Sequence, residues 1–329
     1  MLAFVLSRIA QAIPVLLAVA FVAFVLFAFV GDPTVIMLGQ SYTEAQRQAL
    51  VAQLGLDQPF LVQYAKFIWA ILHGDLGISY RLARPVADLM AERIPATIEL
   101  ALTAFAFALV FGLPLGLYTA IHSRSALSRV LMALSLIGAS LPNFLVGILL
   151  ILCFSVVLGW LPSFGRGEVV HLGGWWTTGF LTRSGLRALI LPSLTLGLFP
   201  MTLIMRLVRS EMLEVLRSDY IRFARARGLP DRAVYFGHAL KNTLVPVITI
   251  LGLQLGGLIA FSVVTETVFQ WPGVGLLFVQ SVVVADIPVI SAYLLIIAAL
   301  FMAINLAVDL LYYIVDPRLR AGPEAVRVR

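Results

Sequence analysis

Charge is what this 329-residue chain has least of. Only 12% of its residues are Asp, Glu, Lys or Arg, about half the roughly 25% of an ordinary soluble domain. With 61% hydrophobic residues and a mean hydropathy of +1.00, the chain belongs in a membrane. Cysteine is nearly absent. Cys153 stands alone in an apolar run, which excludes an intrachain disulfide and a Cys/His metal cluster. None of the four histidines (His73, His122, His171 and His238) lies inside an apolar run, which argues against an enzyme with its chemistry buried in the bilayer. The only lysines are Lys66, in Ala-Lys-Phe, and Lys241, in Leu-Lys-Asn. A P-loop needs a lysine preceded by glycine and followed by Ser or Thr, so this chain hydrolyses no ATP through one.

What the chain does have is long apolar runs. They fall at 9–30, 100–121, 130–158, 188–205, 242–265 and 287–308. Each reaches or approaches the roughly 20 residues that cross about 30 Å of hydrocarbon as a helix. The first, Ile9–Val30, has 22 residues without charge, longer than a signal-peptide core, and reads as a retained span. The run at 130–158 is over-long and is expected to tilt or to extend beyond the hydrocarbon. Pro14, Pro114, Pro142, Pro200 and Pro246 fall in or beside spans, where neighbouring helices re-satisfy freed carbonyls. Six spans put both termini on one face. Arg8, Arg124, Arg129, the Arg206–Lys241 cluster, Arg318, Arg320, Arg327 and Arg329 share that face, so it is expected to be cytoplasmic. The pI near 9.8 is then a matter of topology and of attraction to anionic lipid, and no nucleic acid is expected. The simplest organisation is a first span with an external insertion over 1–93, one membrane domain over 94–314, and a tail over 315–329. The insertion is expected to hold short helices at Glu44–Leu54 and Phe60–Leu72, and the second external loop, 159–187, carries Trp160, Trp175 and Trp176, which suit the headgroup level.

The segment 209–242 breaks the apolar pattern. Met212, Leu216, Tyr220 and Phe223 recur at helical spacing, with Arg217, Asp219, Arg222 and Arg225 between them. Gly228 is placed to stop that helix in the left-handed conformation. Pro230 prevents continuation, and Asp231 is placed to cap a second helix through Ala239. The expected product is a helix–turn–helix knob on the membrane surface.

This segment resembles the cytoplasmic loop of ABC importer permeases, in the version found in dipeptide and oligopeptide permeases. The matching residues are Asp219, Tyr220, Ala224, Arg225, Gly228, Leu229, His238, Ala239, Leu240 and Asn242. Matches continue at Leu253–Gly257, Thr265–Phe269, Trp271–Gly275 and Asp316-Pro317-Arg318. Upstream they include Gly31-Asp32-Pro33, Gly55–Pro59, Gly74–Gly77 and Pro95–Leu100, so the resemblance spans nearly the whole chain. It implies an all-α, six-span type I importer fold in the bacterial inner membrane. It implies partners: a second, paralogous permease subunit, two cytoplasmic ABC ATPases and an external substrate-binding protein. ATP is then bound by partner subunits, and this chain needs no cofactor of its own. The cargo implied is a di- or oligopeptide, although relatives handle nickel chelates, glutathione or sugars.

Within that resemblance the knob is the coupling site. Tyr220, Phe223 and Ala224 are expected to form an apolar docking face, with Asp219, Arg222, Arg225 and Arg227 around it. His238 is expected to hydrogen-bond inside the knob. The bland alternative is an interfacial amphipathic helix on anionic lipid. Gln270–Gly275, with Trp271, Pro272 and Gly273, is expected to form a turn or re-entrant loop that helps close an external gate. Gly112/Gly116 and Gly252/Gly256 have the spacing of close helix packing, within the chain or against a second permease. Glu99, Glu266 and Asp309 lie near span ends, where water is expected to reach them. A rival reading, an ATP-independent secondary transporter or channel, would predict a mid-span ionisable residue.

Overall fold

The computed structural model describes residues 2–29, 43–54 and 57–315. The motifs at Gly31–Pro33, Gly55-Leu56 and Asp316–Arg318, and the arginines after them, lie outside the described residues. Among the described residues, five helices are long and apolar enough to cross a membrane by themselves. They lie in α1 (Leu2–Phe29), α4 (Val86–Ile121), α7 (Arg183–Leu216), α9 (Leu240–Val268) and α11 (Ile287–Val315). Between α1 and α4 come the two short helices expected there, α2 (Glu44–Leu54) and α3 (Phe60–Leu72).

The sixth segment differs from expectation. The over-long run is a bent pair, α5 (Ala126–Ser140) and α6 (Asn143–Leu150), the latter continuing as a π-helix over Ile151–Val157. The two halves meet at 108°. Leu141 is extended, as the residue before a proline tends to be, and Pro142 caps the second half without an N–H to give. The length reported a break, not a tilt. A second departure from all-α is a small antiparallel hairpin in the second interspan loop. Its strands β1 (Val170–Gly173) and β2 (Trp176–Thr178) pair Val170 with Thr178 and His171 with Thr177.

The α4/α7 pair is the spine of the molecule. At 1.5 Å per residue, helices of 36 and 34 residues reach about 54 and 51 Å, well beyond the hydrocarbon. Span two therefore begins at Val86, far upstream of the expected 100, and Pro95–Leu100 is helical. Glycines seat the pair. A Cβ on Gly116 would meet the Met205 carbonyl oxygen and Val208 Cβ at 2.7 Å, and one on Gly112 would meet Ile204 at 3.0 Å. Gly252 and Gly256 do the same for α9 against Val308 and Phe301 of α11. Both small-residue pairs are thus used inside this chain. Arg8 and Asp309 pair at 3.0 Å and tie α1 to α11 on the knob face.

Candidate functional site

Two places gather the sequence-flagged residues, one at each end of the spine. The first is the knob. After α7 ends, α8 (Asp219–Ala226) runs for two turns behind Ser218. It closes in a Schellman motif: the Gly228 N–H donates to the Arg225 carbonyl at 2.9 Å and the Leu229 N–H to the Ala224 carbonyl at 3.3 Å. Gly228 has φ +79° with open space around a would-be Cβ, so the backbone angle alone asks for glycine there. The chain then re-enters a helix at Asp231 that turns π over Ala233–Ala239 and flows directly into α9. Asp231 is the first helical residue and not a cap. The second knob helix is the root of span five, which makes the knob stiffer than two helices on a hinge.

Ile221 and Ala224 are buried beneath α8. Ile221 packs with Ala120, Met212, Val234 and Ala239. Tyr220 is 42% and Phe223 64% exposed. Ala224, being buried, leaves the expected docking face. Leu229 and Phe236 of the knob are exposed as well. The Arg227 guanidinium lies 5.7 Å from the Phe223 ring centre, and that of Arg225 6.0 Å from the Tyr235 ring centre. Arg222 pairs with Asp219 at 3.2 Å in full solvent, a contact of little energetic weight. His238 does not take its expected part. Its ring is exposed and makes no hydrogen bond among the described residues, although its carbonyl accepts from Asn242. Asn242 also donates to the Tyr220 hydroxyl at 2.8 Å, tying α8 to α9.

At the far end lies a buried polar layer. Glu266, expected near water, is fully buried. Its carboxylate accepts from the hydroxyls of Thr97 (2.7 Å) and Ser262 (3.0 Å) and from the Leu276 N–H (2.9 Å). The Gln270–Gly275 turn folds over it and leads into α10 (Val274–Val283). Trp271 is buried and its ring N–H donates to the Ala96 carbonyl at 2.9 Å. A Cβ on Gly273 would stand 2.4 Å from the Glu266 carboxylate. Irregular backbone is thus buried in protein, as a turn at membrane depth requires. Pro272 is half-buried on the turn.

Glu99, also expected near water, pairs with Arg166, both almost fully buried. The guanidinium donates to Glu99 Oε2 at 2.6 and 3.1 Å and to the Thr177 hydroxyl and carbonyl at 3.0 and 2.8 Å. The pair clamps the hairpin onto α4. Asp286, buried before α11, accepts from the Ser79 hydroxyl and the Tyr80 N–H. Burial, with Asp286 close by, holds the Tyr80 phenol well above its usual pKa. Arg166 and Asp286 escaped the sequence reading because each sits in an irregular segment, where no periodicity marks a buried face.

A model of the binding-protein-dependent transport system inner membrane component matches residues 112–321, and its N-terminal companion matches 1–101. A peptide transport system permease protein of Brucella abortus is 42% identical over 321 residues, covering 97% of this chain and 99% of its own. The dipeptide transport system permease protein DppB of Escherichia coli is 39% identical over 336 residues, covering 97% and 99%. Among solved structures, an inward-facing MetNI methionine ABC transporter chain matches with a TM-score of 0.55 at 21% identity, covering 69% of this chain and 96% of that one. That likeness carries the fold, a type I importer transmembrane domain. The chain belongs to the binding-protein-dependent transport system inner membrane component family, the membrane-spanning permease subunits of ABC importers.

Proposed function

We propose that this chain forms half of a translocation path for di- or oligopeptides, driven by separate ATPases that seat on the knob. Relatives named for peptide and dipeptide transport support the cargo. A paralogous permease supplies the other half, and an external binding protein delivers the peptide. Both termini and the knob face the cytoplasm, following the arginine bias. The observation that carries the coupling role is the exposed Tyr220/Phe223 face on a helix whose other side is locked into the spine. A helix held so firmly passes on a push; one merely floating on lipid does not. The Trp271–Gly273 turn works as part of the external gate, and catalysis stays with the ATPases.

The test is co-purification of the tagged chain from gently solubilised native membranes, with ATP hydrolysis as readout. Phe223→Ala removes an exposed ring, so stability should hold within about 0.5 kcal/mol. The expected result is a P-loop ATPase recovered with the parent chain and lost with the variant. An ATPase that stays bound and fully active with Phe223→Ala would remove the knob from the coupling role.

A further inference from the structure

Helix α3 lies in the part of the chain expected to be an external insertion, yet its contacts place it at membrane depth. The Arg8–Asp309 pair marks one membrane face. About 20 residues of helix cross the hydrocarbon, which sets the other face near Val289 of α11. The Ser291 hydroxyl donates to the Ala23 carbonyl at 3.2 Å and carries that level across to α1. Helix α3 packs at this level and below it. The rings of Phe60 and Tyr64 pack against Phe21 and Phe24, and Phe67 meets Phe24, with ring centres 5.1–6.1 Å apart. The Tyr64 hydroxyl reaches the Leu17 carbonyl at 2.9 Å, about 9 Å below Ala23 at 1.5 Å per residue.

The flank of α3 turned away from α1 is also apolar. Leu61 (75%), Trp69 (66%) and Leu72 (74%) are exposed. No residue of α3 is buried. The flank on its other side, with Gln63 and Lys66, borders a cavity of about 630 Å³ between α3, the 75–83 loop and α11. Phe24, Phe67, Ile71, Leu76 and Leu295 give it apolar walls. Lys66 is exposed at its rim and makes no ion pair or hydrogen bond among the described residues. Asp75, also on the rim, is turned to its own loop, where it accepts from the Gly77 N–H at 2.9 Å.

We propose that α3 is an interfacial helix immersed in the leaflet opposite the knob, and that the cavity beside it holds an acyl chain of a phospholipid whose phosphate rests on Lys66. Apolar walls, a cation at the rim and membrane depth together fit an amphiphile with an anionic head. A lysine stem lies along apolar surface while its ammonium reaches the headgroups, and Trp69 suits the same boundary. This inference is independent of cargo and of coupling to ATP.

The test uses the full chain, with Cys153→Ser, in vesicles of phosphatidylethanolamine and phosphatidylglycerol. Nitroxides attached at cysteines replacing Leu61 and Leu72 report access to oxygen and to a water-soluble nickel chelate. Oxygen should win at both. Chelate access equal to that of oxygen at both overturns the immersion. So does closure of 61 and 72 that appears only when a binding protein is added, since that gives the flank to the protein. Native mass spectrometry after mild delipidation then counts retained phospholipid. One lipid fewer is expected with Lys66→Glu and with Ala70→Trp, which fills the cavity from a half-exposed position. An unchanged count with both overturns the lipid site.

Discussion

Glu99 and Arg166 are the residues whose cost of loss is easiest to foresee. Two charges out of water are stable only when nearly every polar atom is matched, and here Thr177 and the Gly179 N–H complete the set. Removing one partner strands the other. Glu99→Gln or Arg166→Met alone should cost about 3–5 kcal/mol, read as a lowered thermal midpoint in detergent. The double variant should cost clearly less than the two losses added. Simple additivity would show that the clamp carries no coupling energy. Sequence patterning had reached Glu99 as a charge near a span end but gave no hint of its partner. Arg166 lies 67 positions away in a loop, and nothing local ties the two. The same holds for Glu266, whose burial follows from a turn that folds back over it. A hydropathy run records where charge stops, not whether water reaches the stop.

At the scale of elements, what was legible follows periodicity, and what was not follows breaks and contacts. The centres of α1, α4, α7, α9 and α11 all lie where uncharged runs announce them. The 108° bend did not show, because Pro142 in a span is as compatible with a mild kink as with a full turn. The knob's two helices were legible in outline, from Gly228 and Pro230. Which residues face inward was not, because Ile221 is buried by residues of α4, α7 and the π segment over Ala233–Ala239, distant in sequence or across the turn. The small-residue spacing in α4 suits close packing within the chain or against a second permease, and the structure gives α7 as the partner. Gly116→Leu is the matching prediction. With backbone and Val208 already at 2.7 Å from a Cβ, the added side chain should cost at least the 1–3 kcal/mol typical of overpacking. Gly237→Leu, in the knob with open space around it, should move stability far less. Similar losses for both, measured by thermal unfolding, would mean the α4/α7 seam is looser than these distances state.

On the scale of the whole molecule, the two sites are joined by the spine. Thr97 and Glu99 sit toward one end of α4, and Ala120 at its other end belongs to the knob cluster. Met212, near the end of α7, packs in that same cluster and receives a hydrogen bond from Thr243 of α9. Helix α9 in turn begins at the knob and ends at Glu266 and the Trp271–Gly273 turn. A displacement of α8 therefore has a continuous packed route, through α4, α7 and α9, to the buried polar layer about 35–40 Å away at 1.5 Å per residue. Packed interiors transmit strain because they have little free volume. The physical warrant for a route, however, is an element with two positions that both ends bias. In the assembled transporter with Cys153→Ser, a cysteine replacing half-buried Pro272 should react with an impermeant maleimide at a rate that changes with nucleotide. Adding Phe223→Ala should abolish the change while leaving the basal rate intact, since that ring touches only the far end. A labelling rate indifferent to nucleotide would remove the turn from the gate. A nucleotide response that survives Phe223→Ala would keep the gate but show that motion enters the spine somewhere other than the exposed face of α8.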